Sequence, residues 1–213
     1  MAFYKDIAYE NGTHIYQWRI NESVDDLRYM CLHRGIDIEE IDNVTAKSRQ
    51  AEMLTERLLL QLIFGKNVTL IHNADGAPCV LESDYNISIT HTSGIVCVAT
   101  HPTQRIGIDI EQIRTRVIKV RNKFLNDHEK QWILEDDVTA NLIAWTAKEA
   151  LFKIIPENEI DFKEHLQLES FTSQESGQFT FKGSDTRTTT PRTYDIITNI
   201  ELEYILSLAI ARL

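Results

Sequence analysis

Two stretches of the chain place apolar residues three or four positions apart among good helix formers. The first stretch, 47–64, ends at Gly65, where a glycine C-cap would stop a helix. The second, 139–155, is followed by Pro156, which disfavours helix at the residue before it. Between them, Asn126 and Glu129 have the spacing of a capping box. The pattern therefore predicts two long helices and a short one that begins near residue 126.

Short apolar runs bounded by turn residues predict strands in the rest of the chain. These runs are 68–71, 87–90, 95–100, 106–111, 179–181, 194–198 and 204–211. They are separated by brief turns such as 92–94, which favours antiparallel hairpins. The strands occur in groups and do not alternate regularly with helices, so we expect an α+β fold and not a doubly wound α/β sheet.

The order of elements suggests two related halves. Each half runs from a long helix into antiparallel strands, and the segment 54–59 (LTERLL) loosely resembles 145–150 (WTAKEA). We predict a pseudo-dimer of two similar α+β halves, residues 1–105 and 106–213, each a small antiparallel sheet packed on a long helix.

Composition narrows the class of protein. The 213 residues are 43% hydrophobic, and neither a signal peptide nor an apolar run of about 20 residues is present, so we expect a cytoplasmic protein without a membrane span. The three cysteines, Cys31, Cys79 and Cys97, form no CxxC pair, and we expect buried, reduced thiols. A formal net charge of -10 argues against nucleic acid as the main partner.

One segment departs from the acidic balance. Between residues 112 and 125 the chain has five basic side chains and no acidic one: Arg114, Arg116, Lys119, Arg121 and Lys123. Such a run is either a solvated helix face or a docking surface for an acidic partner.

The predicted strand 106–111 contains two carboxylates at alternate positions. Strand alternation places Asp109 and Glu111 on one face, and Ile108 and Ile110 on the other. Two adjacent carboxylates repel each other unless a cation lies between them, and a hard divalent ion such as magnesium suits oxygen ligands. The alternative is an exposed strand whose acidic residues face solvent.

The second long helix adds a stripe of chemically active side chains. Trp145, Glu149 and Lys153 recur every fourth residue and share one face, with Lys148 and Phe152 beside it. Glu149 and Lys153 alone would be an ordinary surface ion pair. Together with the two strand carboxylates, Glu149 would complete a set of three around one metal ion, and Lys153 would meet an anionic substrate.

A histidine and hydroxyl groups lie at the end of the strand 87–90. Thr90, His91 and the backbone amides of the following turn suit a phosphate group when the histidine is protonated. A structural histidine at such a turn is equally consistent with the local sequence.

Three motifs together resemble one family. The segments 107–111 (GIDIE), 145–153 (WTAKEALFK) and 88–92 (SITHT) are similar, in order and spacing, to those of the Sfp-type phosphopantetheinyl transferases. The resemblance covers residues 47–153 by motif. It implies transfer of the phosphopantetheine arm of coenzyme A to a serine of an acidic acyl or peptidyl carrier protein, with Mg²⁺, by a monomeric enzyme. Whether the carrier serves fatty acid biosynthesis, polyketide synthesis or peptide synthesis stays open.

The resemblance also implies roles for individual residues. Those that would bind the magnesium ion are Asp109, Glu111 and Glu149, and Glu149 would also be the general base. Those that would contact coenzyme A are Arg57, Thr90, His91 and Lys153. Ala77 stands where the family has a basic residue before Pro78, so one cationic contact is missing unless Lys47, Arg49 or Lys66 replaces it.

Two other functions remain open at this point. Clustered carboxylates and a lysine would also serve a metal-dependent phosphohydrolase or nuclease, although the acidic balance weakens the nuclease alternative. The basic run would also serve a noncatalytic module that binds carrier proteins.

Overall fold

The computed structural model describes residues 3–65, 68–157, 159–172 and 176–211. The chain divides into two compact units. The first contains Met1–Asn73 and Pro78–Thr103, and the second contains Ala74–Ala77 and Gln104–Leu213.

In the described part of the chain, the first unit contains three helices and an antiparallel sheet. Its helices are α1 (Val24–His33), α2 (Glu39–Asp42) and α3 (Lys47–Phe64). Its strands are β1 (Phe3–Ala8), β2 (His14–Arg19), β3 (Leu70–His72), β4 (Pro78–Val80), β5 (Asn86–Thr92) and β6 (Ile95–His101). The main sheet has the order β1-β2-β6-β5, and β3 pairs with β4 separately.

The core of the first unit lies between α3 and the main sheet. The apolar face of α3, which includes Leu54 and Leu58, packs with Trp18 of β2 and with Val96 and Val98 of β6. The helix ends at Gly65, whose φ of 89° lies in a region that an L side chain rarely adopts. The predicted helix 47–64 and its glycine C-cap are confirmed.

The second unit consists of an antiparallel sheet and one long helix with shorter helical turns. Its helices are α4 (Arg116–Val120) and α5 (Val138–Ile154), with 3-10 turns at Arg121–Lys123 and Glu129–Gln131. Its strands are β7 (Ile106–Gln112), β8 (Leu166–Leu168), β9 (Gly177–Asp185), β10 (Arg192–Ile200) and β11 (Tyr204–Ala211). The sheet order is β7-β11-β10-β9-β8, so the first strand of the unit pairs with the last.

Helix α5 lies directly on β7 and β11. The approach is closest at Gly107, where an added Cβ would stand 2.1 Å from the backbone oxygen of Ala150. Asp137 caps the helix by accepting the backbone N–H of Ala140 at 2.8 Å. The absence of a side chain at Gly107 therefore sets how near the helix comes to the strand.

The antiparallel α+β arrangement is confirmed, because every strand pair in the described part of the chain is antiparallel. The predicted second helix and the main strands are found within a few residues of their expected bounds. The similarity of the two halves and their functional division stay predictions. Elements before residue 47, and β8, were not anticipated by the pattern.

The structure bears on two of the expectations drawn from composition, the absence of a membrane span and the state of the cysteines. In the described ranges no helix has both the length and the apolarity needed to cross a membrane. The three cysteines are free thiols, with Cys31 and Cys97 buried and Cys79 only half-buried, so the expectation of a buried thiol is wrong for Cys79.

Candidate active site

The two carboxylates of β7 lie on the face that α5 covers. Asp109 and Glu111 alternate with Ile108 and Ile110 along the strand and share a face with Gly107, which abuts α5. Asp109 is only 7% exposed and Glu111 is half-buried, while both isoleucines are buried. The alternative of a strand whose acidic residues face solvent is therefore wrong.

Helix α5 brings a lysine onto the same strand. The Nζ of Lys153 donates hydrogen bonds to Asp109 Oδ1 at 2.9 Å and to the backbone oxygen of Ile108 at 2.8 Å. The side chain of Lys153 remains 28% exposed, so its ammonium group is also open to solvent. The sequence pattern assigns Lys153 to an anionic substrate and does not predict this contact with Asp109, and the role of Lys153 toward a substrate stays a prediction.

Glu149 belongs to the same electrostatic group. Burial, followed by the charges of Asp109 and Glu111, raises the pKa of its carboxyl to about 7 against the opposing effect of Lys153. Burial also raises the pKa of Glu111, and the charge of Asp109 adds to that shift. The three carboxylates are thus close enough to disfavour one another's ionised forms.

The donor chemistry of this group fits a hard divalent cation, although a finished metal site is not formed. Carboxylate oxygens are the ligands that Mg²⁺ prefers, and a cation would relieve the mutual repulsion just described. Across the ranges that the structure describes, however, no three His, Cys, Asp or Glu side chains are gathered as a metal-binding group. Instead, the ammonium of Lys153 neutralises Asp109.

A cavity of about 690 Å³ opens beside these carboxylates. Glu111, Glu149 and Trp145 form part of its wall, and the indole Nε1–H of Trp145 donates to Glu111 Oε1 at 3.4 Å. Three basic side chains from the run after β7 line the same cavity: Arg114, Arg116 and Lys123. Apolar lining comes mainly from Val117, Val120, Phe124, Leu142, Ile160 and Phe162.

Two members of the basic run, Lys119 and Arg121, do not line this cavity, and Lys119 is exposed. Arg121 is buried, with 8% of its surface exposed. Its guanidinium donates to Asn141 Oδ1 at 3.0 Å and to the backbone oxygen of Ile133 at 2.8 Å. The interpretation of Arg121 as a docking residue is therefore wrong, because its charge is used inside the unit to join the 3-10 turn to α5.

Thr90 and His91 lie on β5 in the first unit. Thr90 is buried and His91 is exposed. His91 Nε2 is 2.7 Å from Nη1 of Arg49, and His91 Nδ1 is 3.4 Å from a carboxylate oxygen of Glu52. An arginine N–H only donates, so Nε2 would accept in this contact, while Nδ1 faces the Glu52 carboxylate. The roles of Thr90 and His91 toward a phosphate stay predictions.

Arg57 lies farther along α3 and lines a second cavity, of about 470 Å³. Its guanidinium pairs with Glu40 and, at 3.4 Å, with Glu56. Among the three side chains considered as a replacement for the missing cation at Ala77, Arg49 pairs with His91, while Lys66 lies outside the described residues.

Sequence reasoning missed the buried pair formed by Lys148 and Glu129. Their charged groups are 2.7 Å apart and neither side chain is exposed. A signal was present, because Lys148 is four residues after Ala144 and three before Leu151, both on the apolar face of α5.

Comparisons with known proteins agree with the geometry. Residues 105–209 match the family model of the 4'-phosphopantetheinyl transferase superfamily. The chain is also 26% identical over 163 residues to a 4'-phosphopantetheinyl transferase, gsp, from Aneurinibacillus migulanus. That alignment spans 73% of this chain and 65% of the relative, which is less than two thirds of the relative's length. The resemblance inferred from the motifs is confirmed at the level of the 4'-phosphopantetheinyl transferase superfamily, and the Sfp type stays a prediction.

Proposed function

We propose that the chain, whose residues 105–209 match the family model of the 4'-phosphopantetheinyl transferase superfamily, transfers the phosphopantetheine arm of coenzyme A to a serine of an apo acyl or peptidyl carrier protein. The serine oxygen bonds to the phosphorus nearest pantetheine, the bond to the leaving group breaks, and adenosine 3',5'-bisphosphate is released. The observation that carries the proposal is the packing of Glu149 and Lys153 of α5 against the two carboxylates of β7.

Glu149 is proposed as the general base. Its pKa of about 7, raised first by burial and then by the neighbouring carboxylates, suits a group that must accept a proton near neutral pH. Asp109 is not proposed as the base, because its carboxylate is already paired with the ammonium of Lys153. The serine proton therefore passes to Glu149.

Asp109, Glu111 and Glu149 are proposed to hold a magnesium ion. When bound, the ion would supply positive charge that offsets the charge growing on the 5'-phosphate of the departing adenosine 3',5'-bisphosphate. The chain's own part is positional, because α5 is held against β7 at Gly107 and Trp145 bonds to Glu111.

Lys153 is proposed to contact the phosphates of coenzyme A. Its ammonium is bonded on one side to Asp109 and Ile108 and is partly open to solvent. It is therefore held in place before the substrate arrives, which limits the entropy lost on binding. In the first unit, Arg57, Thr90 and His91 are the proposed contacts, and Arg49, bonded to His91, is the proposed replacement for the cation missing at Ala77.

The carrier protein is proposed to approach the cavity beside Glu111 and Glu149. Arg114, Arg116 and Lys123 line that cavity and suit an acidic partner. The proposal extends to a monomeric cytoplasmic enzyme of the Sfp type or the holo-acyl-carrier-protein synthase type, serving fatty acid biosynthesis.

The experiment is incubation of the protein with coenzyme A, Mg²⁺ and an apo carrier protein, followed by intact-mass measurement of the carrier. We expect the carrier to gain the mass of one phosphopantetheinyl group. Hydrolysis of coenzyme A with no change in carrier mass would instead indicate a phosphohydrolase. Carrier binding without any change in mass would indicate a noncatalytic binding module.

A further inference from the structure

Lys148 is an ammonium group sealed inside the second unit. Its side chain is 0% exposed, and its Nζ has four acceptors. They are Glu129 Oε2 at 2.7 Å and the backbone oxygens of Phe124 at 2.7 Å, Leu166 at 2.8 Å and Phe162 at 3.0 Å. An ammonium has three N–H donors, so its hydrogen-bonding capacity is fully used.

Glu129, the partner carboxylate, is equally enclosed. Its Oε2 also accepts the backbone N–H of Asn126 at 3.0 Å, and its Oε1 accepts that of Leu168 at 3.0 Å. Together the two side chains tie α5 to the corner at 124–126, to the segment 162–166 and to β8.

Stability alone is a weak reason for such a pair. Removing two charges from water costs several kcal/mol per ion, and apolar replacements of buried ion pairs are often neutral or stabilising. What the pair does supply is a fixed position for two backbone carbonyls, those of Phe124 and Phe162.

The rings of these two phenylalanines enclose Trp145. The Phe124 ring meets the indole edge-on, with centroids 5.2 Å apart, and the Phe162 ring lies 5.8 Å from it. The enclosed indole donates its Nε1–H to Glu111 Oε1 at 3.4 Å. All four side chains line the cavity of about 690 Å³ that also contains Glu149.

We infer that Lys148, together with Glu129, is a positioning residue for the proposed transfer. It fixes the backbones of Phe124 and Phe162 so that their rings hold the Trp145 indole against Glu111. The inference deepens the proposed function and rests on it for its kinetic consequence, whereas the packing of Trp145 is measurable without any substrate.

The test uses a protein in which Trp145 is the remaining tryptophan, after Trp18→Phe and Trp132→Phe. In this background, Lys148→Met with Glu129→Gln removes both charges and keeps side-chain length, so no unpaired charge is buried. The matched control is Lys163→Met, the same substitution at a partly exposed lysine outside α5, whose ammonium lies 3.8 Å from Glu164.

The expected result has two parts. Acrylamide quenching of Trp145 fluorescence rises several-fold in the double variant relative to the control, while thermal unfolding stays cooperative. The kcat of phosphopantetheine transfer falls about tenfold to hundredfold, as small misplacements at reacting groups do, with the KM for coenzyme A within about twofold of the control.

Quenching and kcat equal to those of the control, in a folded double variant, would overturn the inference and leave the pair a purely structural one. If the wild-type protein transfers nothing, the proposed function fails, and the quenching comparison, which needs no substrate, still decides the positioning role. Should the double variant not unfold cooperatively, Lys148→Arg carries the same comparison, because a planar guanidinium cannot reproduce the contacts of an ammonium.

Discussion

At the scale of single residues, Glu149 is the most informative group in the chain. Its carboxyl is enclosed by β7 and α5 beside two other carboxylates, and burial is the largest cause of its raised pKa. A group in this environment holds its proton to near-neutral pH when no metal is bound. The same property that suits a general base therefore makes the metal-free fold sensitive to pH.

This sensitivity gives a prediction for the metal-free protein. In the unfolded chain Glu149 ionises near its usual pKa, whereas in the fold it ionises at about 7. The folded state binds more protons between these two pKa values. The stabilisation that Glu149 contributes to the free energy of unfolding is therefore complete below the lower pKa and is lost as the pH rises to about 7. Glu149→Gln should remove that loss, which is about 1–3 kcal/mol because one pKa unit corresponds to about 1.4 kcal/mol.

The measurement is urea unfolding in EDTA between pH 4.5 and pH 8, for wild type and Glu149→Gln. The stability difference in favour of the variant should grow up to about pH 7 and then stay constant. Glu164→Gln, at an exposed side chain, is the control and should show a flat difference. A flat difference for Glu149→Gln as well would show that its carboxyl ionises normally in the fold.

The sequence predicted some of these residues and misjudged others for a physical reason. Asp109, Glu111, Glu149 and Lys153 followed from strand and helix periodicity, which places side chains on faces. Arg121 and Lys148 were misjudged because their charged side chains were assumed to be exposed to solvent. Both lie at helical spacing from buried apolar neighbours, Val117 and Leu151 respectively, which is the signal that identifies them as buried.

At the scale of elements, the contact between α5 and β7 decides whether the site exists. The sequence predicted a sheet packed on the long helix, and the fold adds that the helix lies on β7 and β11. Gly107 is the residue that permits it, since an added Cβ would stand 2.1 Å from the backbone oxygen of Ala150 and 3.0 Å from the backbone nitrogen of Ile154. Backbone atoms of a packed helix cannot move aside as a flexible side chain does.

We therefore predict that Gly107→Ala destabilises the protein by about 3 kcal/mol or more, at the upper end of overpacking effects, and lowers kcat by moving Glu149 away from Asp109. Denaturant unfolding and the transfer assay measure the two effects. Gly183→Ala is the matched control, because its added Cβ would meet the Leu151 side chain at 2.7 Å, which has more freedom to shift. Equal destabilisation by both substitutions would argue against a special role for the contact at Gly107.

The sequence did not predict elements in which the hydrophobic residues show no clear helical or strand periodicity. Strand β8 has three residues, too few to show alternation. In β2 the burial pattern is not strictly alternating, because Ile15, Tyr16, Gln17 and Trp18 mix apolar and polar types on both faces. By contrast, α3 and α5 each present many turns of one apolar face, and their bounds were predicted within about one residue.

At the scale of the whole molecule, charge distribution bears on the partner. The chain has a formal net charge of -10, so the proposed partner, an acidic carrier protein, would be repelled overall and would need local attraction. Arg114, Arg116 and Lys123 provide positive charge at the cavity beside Glu111 and Glu149. Because Arg121 is buried, the test of docking must leave it unchanged.

Charge reversal at Arg114 and Lys123 should raise the KM for the carrier protein about tenfold at low salt and leave the KM for coenzyme A nearly unchanged. The difference from wild type should shrink as salt increases, because the Debye length falls from about 10 Å at 0.1 M to about 3 Å at 1 M. Arg34→Glu, an exposed change in the first unit, is the control. A raised KM for coenzyme A with normal carrier kinetics would assign these side chains to nucleotide binding.

The central claim is that carboxylates gathered by β7 and α5 carry out phosphopantetheine transfer with Glu149 as the base. It is tested most directly by the initial rate of carrier modification, followed by intact mass, for wild type and Glu149→Gln side by side with Mg²⁺ and coenzyme A. The account predicts transfer by the wild type and a loss of at least about 100-fold in the variant, with its fold and coenzyme A binding preserved. Transfer by Glu149→Gln at the wild-type rate would contradict it.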